Sequence, residues 1–215
     1  MTGRARGLCK IFLAVPFLAM ASPSIADDDR LRFTLMPFGG YRFSGSVQLN
    51  DPNFSRLDLA DNSVFGLAAG MEVPEGLVEI MWTHHNSTAQ AIPVSGGPAP
   101  ESFDLTADQF HFNGLYFPPD FERVLPYVLA GLGMTRYAPS GPIDSVNGFS
   151  WALGGGVKIP FTNRLALRFE SKWNPALMSS TGTVFCNSAT GQCFVSASGK
   201  LIDQFDFTAG LSLRI

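Results

Sequence analysis

The sequence carries little charge: 15% of its 215 residues are Asp, Glu, Lys or Arg, against the ~25% usual in soluble domains. No uninterrupted apolar run approaches the ~20 residues that a spanning helix needs. It holds three histidines and three cysteines, with no CxxC pair, no phosphate-cradling glycine loop and no dinucleotide fingerprint. The common zinc, redox and nucleotide chemistries are thereby unsupported, and no cofactor or metal is expected. Basic residues are also scarce. Fifteen Lys and Arg stand against 18 Asp and Glu, a net charge of −3, which disfavours nucleic acid as a partner because its binding rests on basic patches that release counterions.

The start of the chain reads as a targeting signal. Arg4, Arg6 and Lys10 precede the apolar run Ile11–Met20, and Ser24-Ile25-Ala26 places small residues just before Asp27. Residues 1–26 are expected to be a signal peptide cut after Ala26, leaving 27–215 as one domain. Cleavage would leave 12 basic and 18 acidic residues, net −6. Cys9 would leave with the signal. Cys186 and Cys193 would remain in an oxidising compartment, where their close spacing in CNSATGQC favours a disulfide. No His or carboxylate falls between them to suggest a metal.

Beyond residue 27 no segment keeps helical periodicity over three turns, while many segments alternate as two-faced strands do. Strands are expected at roughly 32–43, 63–73, 77–85, 105–117, 123–137, 149–159, 164–173 and 204–215. In the last, Phe205, Phe207, Ala209, Leu211, Leu213 and Ile215 share one face and Asp206, Thr208, Gly210, Ser212 and Arg214 the other. Short connections (74–76, 117–122, 160–163) alternate with long ones (44–62, 86–104, 138–147, 177–203), the first of which could hold a helical turn. That layout predicts an all-β fold, an eight-stranded antiparallel up-and-down transmembrane β-barrel with short periplasmic turns and long extracellular loops. Closure requires the first strand to pair with the last, because lipid offers an open edge no hydrogen-bond partner.

A soluble eight-stranded barrel of the lipocalin type would turn its apolar faces inward. Here the less apolar face mixes charges with glycine and alanine, which fill a narrow interior but would cover a solvated surface poorly. Lumen charges are therefore expected at Glu72, Glu79, Lys158, Arg168, Glu170, Lys172, Asp206 and Arg214, with Arg32 and Arg42 as further candidates. Large aromatics near strand ends, Trp82, Tyr116, Phe149, Trp151, Phe161 and Trp173, are expected to form interfacial girdles. Buried charges must be paired. Near balance of sign favours a salt-bridged plug over a conduit.

Three stretches resemble a known group. Pro126–Gly133 (PYVLAGLG), Trp151–Trp173 (WALGGGVKIPFTNRLALRFESKW) and Phe207–Ile215 (FTAGLSLRI) resemble recurrent strands of the OmpA-like/OmpX-like small outer-membrane barrels, also described as opacity-type surface antigens. The resemblance implies location in the bacterial outer membrane, contact with outer-membrane lipid and lipopolysaccharide, and insertion by the barrel-assembly machinery. Members usually end in Phe, where this chain ends in Ile215.

His84, His85 and His111 are the only histidines, and His85-Asn86-Ser87 forms a His-x-Ser. The chain resembles the lipid A 3-O-deacylase barrels, which use such a pair with a carboxylate. There, however, the pair lies on the penultimate strand, which here reads RFESKWN. His84 and His85 are adjacent on a strand and point to opposite faces, so they cannot share a metal. The expected role is thus non-enzymatic: a surface protein that maintains the envelope and meets an extracellular partner through loops 86–104 and 177–203. A narrow porin-like channel and a lipid A hydrolase are the alternatives.

Overall fold

Alternation becomes wall. The computed structural model describes residues 32–49, 53–95, 99, 101–121, 123–141, 144–178, 184–187, 192–195 and 201–215. The segment read as a signal peptide lies outside them. Eight staves can be followed in chain order: β1, Phe33–Ser44 continued by Ser46–Gln48; β2, Phe54–Leu59 and Asn62–Val73; β3, Gly76–Pro93; β4, Glu101–Tyr116; β5, Leu125–Pro139; β6, Val146–Pro160; β7, Leu165–Trp173 and Ala176–Met178; and β8, Leu201–Ile202 and Gln204–Arg214. A hairpin of Val184–Asn187 with Gln192–Val195 stands in the connection before β8.

Each stave pairs antiparallel with the next, and β1 pairs with β8 from Thr34 opposite Arg214 to Ser44 opposite Gln204. The wall closes as bilayer physics demands. The turns at 74–75, 117–124 and 161–164 lie at one end.

Orientation follows from exposure. Ile80, Leu132 and Phe112 face out, 60–61% exposed, whereas Arg42 and Asp206 on the other face are fully buried. On β8 the outward apolar row runs from Phe205 to Ile215, and on β1 from Phe33 to Phe43. These lengths match the 9–11 residues of a tilted span.

The wall does not stop where the membrane does. The long connection expected at 86–104 is mostly strand: β3 continues to Pro93 and β4 begins at Glu101, pairing through Ala91 opposite Glu101. The first loop, 44–62, holds Ser46–Gln48 paired with Phe54–Leu59 in place of a helical turn. The loop at 138–147 shrinks to 140–145, and that at 177–203 begins and ends in strand.

The physical reason lies in an exchange of faces. Below His84, β3 turns Val78, Ile80 and Trp82 outward and Glu79, Met81 and Thr83 inward; above it, Asn86, Thr88 and Gln90 face out while Ala89 and Ala91 are buried. On β4, Phe110 and Phe112 face out below, and Ser102, Asp104 and Thr106 above, with Leu105 and Ala107 turned in. Lipid outside and ions inside give way to water outside and hydrocarbon inside. Nine residues beyond His84, at ~3.3 Å each and inclined ~40°, carry β3 roughly 20–25 Å past this line. Cross-strand bonds brace the projecting part, such as Thr106 Oγ1 to Asn86 Oδ1 at 3.0 Å. A β-bulge keeps β2 in phase: five residues separate Val64 from Leu59, and four separate their partners His85 and Ala89.

Candidate functional site

The interior is layered, and its charges sort into three groups. At the projecting end it is apolar: Leu57, Leu59, Leu105, Tyr137 and Ile202 belong to one buried cluster.

Beneath it lies Arg42. Its Nε donates to Asp206 Oδ1 at 2.6 Å and its Nη2 to Asp206 Oδ2 at 2.7 Å, a bidentate pair made possible because β1 and β8 place the two residues directly opposite. Arg42 Nη2 also donates to Gln109 Oε1 at 2.6 Å, and Asn174 Nδ2 to Asp206 Oδ2 at 2.8 Å. Gln109 Nε2 in turn reaches Gln204 Oε1 at 3.0 Å and Thr135 Oγ1 at 3.1 Å.

The second group centres on Arg168. Its guanidinium donates to both Glu79 oxygens, at 2.7 and 3.0 Å, to Glu170, and through Nε to Tyr127 Oη at 2.8 Å. Tyr127 Oη in turn donates to Glu170 Oε2 at 2.9 Å, and Asn113 Nδ2 donates to Glu79 Oε1 at 3.2 Å. Lys172 Nζ lies 3.4 Å from Glu170 Oε1 and 5.5 Å from the centre of the Phe38 ring. Gly156 makes room for this group, since a Cβ there would sit 2.6 Å from Tyr127 Oη. Two cations meet two carboxylates here, and one meets one at Arg42, so both buried layers are neutral.

A second apolar layer, including Leu77, Leu115 and Leu129, closes the short-turn end. The third charge group sits at the mouth below it. Glu72 Oε1 accepts from Arg214 Nη2 at 2.8 Å and Lys158 Nζ at 3.4 Å. Arg214 is partly open to solvent, and Arg32, a further lumen candidate from the sequence, is exposed at the residue before β1.

The neutral members were missed in the sequence, although Gln109, His111 and Asn113 share one face between the outward Phe110 and Phe112. His111 Nε2 lies 2.9 Å from Ser150 Oγ.

The aromatics occupy two levels. Tyr116, opposite Gly76, and Phe161 stand at the short-turn end. Trp82, Phe149, Trp151 and Trp173 stand toward the other, where Trp151 and Trp173 meet edge to face at 6.2 Å. Trp82 Nε1 donates to Asp108 Oδ1 at 3.2 Å and Trp173 Nε1 to Asp203 Oδ1 at 3.0 Å, an apolar ring below and a wet acceptor above.

At the His-x-Ser both side chains turn to backbone carbonyls. Ser87 Oγ donates to the Ala60 carbonyl at 2.6 Å, while His85 Nδ1 lies 3.1 Å from the Ser63 carbonyl. Both face inward. His84 faces outward and pairs with Asp108 at 2.8 Å. Among the described residues, no group of three or more His, Cys, Asp or Glu could hold a metal ion. Cys186 and Cys193 lie opposite each other in the hairpin backbone, but their side chains fall outside what is described.

A closed wall of eight staves with an apolar belt and a paired ionic interior is matched by one family model, the outer membrane protein beta-barrel domain, over residues 11–213. The chain belongs to this family. Its place is therefore the outer membrane. Among solved structures it is similar to Neisserial surface protein A (13% identity, 85% of this chain and 97% of that one, TM-score 0.52). It is also similar to AlkL in DMPC lipid bilayers (16%, 92% and 97%, 0.55) and to the outer membrane protease OmpT from Escherichia coli (11%, 89% and 99%, 0.52). At such identities the likeness is one of fold. No curated protein matches in sequence.

Proposed function

We propose that this barrel is a non-enzymatic surface protein: a rigid scaffold that holds its extracellular connections away from the bilayer for contact with host, phage or neighbouring proteins. The supporting observation is the exchange of faces above His84, which builds a polar-skinned, apolar-cored platform rather than slack loops. The chain leaves the platform at Pro93 and Met178 and rejoins it at Glu101 and Leu201. Cells displaying the protein are expected to lose adhesion or phage adsorption when 179–200 is replaced by a short Gly-Ser turn, with the heat-modifiable gel shift of the folded barrel unchanged. Equal adhesion of both forms would count against the reading.

Two apolar layers and two neutral ion layers weigh against a porin-like channel. Planar-bilayer recordings are expected to be silent; reproducible current steps would make the protein a pore. The bonding of Ser87 and His85 likewise weighs against hydrolysis of lipid A, so its mass spectrum is expected to be the same with and without the protein.

The reading includes export, with cleavage after Ala26, and a Cys186–Cys193 disulfide that staples the hairpin. The intact mass should correspond to a chain starting at Asp27 and lighter by two hydrogens, with both thiols reacting only after reduction. Free thiols in the untreated protein would remove the staple.

A further inference from the structure

The outer wall is not smooth. Between β3 and β6 it carries a groove of about 630 Å3, with Ile80, Phe110 and Phe112 on one side and Leu132, Met134 and Phe149 on the other. Strand register stacks the residues in rows. Trp82, Phe110, Met134 and Phe149 lie side by side on four successive strands, and the next outward row is His84, Asp108, Arg136 and Asn147. That row is where the outer face turns from apolar to polar. The groove therefore lies in the outer-leaflet half of the belt, with a polar headgroup-level row immediately above it.

The row's charges are not equivalent. The Asp108 carboxylate is engaged by His84 and by Trp82 Nε1. Arg136 lies opposite Asp108 in register, is exposed, and makes a long side-chain contact of 3.4 Å with Ser145 Oγ. A guanidinium at headgroup level suits phosphate bidentately, and electrostatics there are less screened than in bulk water. Apolar attraction alone would not hold a lipid, because neighbouring chains are equally apolar; what a groove adds is close packing of flanking side chains around one acyl chain.

We propose that this groove is a binding site for one phosphorylated glycolipid of the outer leaflet, an acyl chain seated between Phe110, Phe112, Leu132 and Met134 and a phosphate on Arg136. This site does not depend on the platform having a protein partner.

Native mass spectrometry of the full barrel in detergent micelles tests it with bis-phosphorylated lipid A and the same lipid dephosphorylated. Wild type should retain one lipid A per barrel. Arg136→Gln, a surface change, should lower that occupancy about tenfold, to the level at which wild type holds the dephosphorylated lipid. Met134→Trp keeps the wall apolar but fills the groove, and should abolish retention of both lipids. Ala130→Trp, at a groove in the short-turn half, should leave retention unchanged. The proposal is overturned if Arg136→Gln or Met134→Trp retains lipid A as wild type does, if phosphate makes no difference to wild type, or if Ala130→Trp acts like Met134→Trp.

Discussion

Replacing Arg168 with methionine is expected to destabilise the barrel by about 3–5 kcal/mol, the range measured when one partner of a buried ion pair is removed. The guanidinium holds two buried carboxylates, Glu79 and Glu170, and it also bonds Tyr127. Without it, Lys172 can serve Glu170, but Glu79 keeps only Asn113. Urea titration of the folded fraction in lipid vesicles, read by heat-modifiable gel shift, gives the size of the loss. Adding Glu79→Gln should recover much of it, because the change removes the orphaned charge and restores neutrality. A single variant within about 0.5 kcal/mol of wild type would mean that water already reaches this layer. The lumen would then be more open than its packing implies.

The exchange of faces gives the second large effect. Leu132→Arg, on the outward face within the belt, should cost about 2–4 kcal/mol, as charge on the lipid face does near the midplane. Gln90→Arg, outward on the projecting part of β3, should stay within about 0.5 kcal/mol. Leu105→Arg, inward on β4 at the projecting end, should be destabilising, since it buries a cation with no partner inside an apolar cluster. The three together separate platform from loop. If 86–104 were a solvated connection, Gln90→Arg and changes up to Asp104 would be equally harmless, and Leu105, at the base of such a loop, would tolerate charge. The same titration in vesicles checks all three.

Much of the fold was legible because a bilayer imposes one rule on every residue of a span: outward means apolar. The rows on β6, β7 and β8 obey it with little exception, so their inward charges Lys158, Arg168, Glu170, Lys172, Asp206 and Arg214 could be read off by parity. The same rule concealed the projecting staves. From Asn86 to Ala91 and from Ser102 to Asp108 the sequence still alternates, but with polar residues on the parity that had been apolar, and with small alanines at 89, 91 and 107 on the buried side. Set against a membrane pattern, that stretch looks like a loop. Arg32 shares the inward parity of Arg42, but it stands one residue before β1, at the very end of the wall, where its side chain is exposed.

Pairing was the part out of reach. Arg42 and Asp206 are 164 positions apart, and Arg168 and Glu79 are 89 apart. Alternation along one strand states which side chains share a face, and with the make-up of the two faces it determined a barrel, its inside and its outside. It contains no term for who stands across the lumen. Closure of β1 on β8, the register of each ladder and the bulge in β2 decided that, along with the height at which water replaces lipid, because these are relations between strands and no single strand carries them.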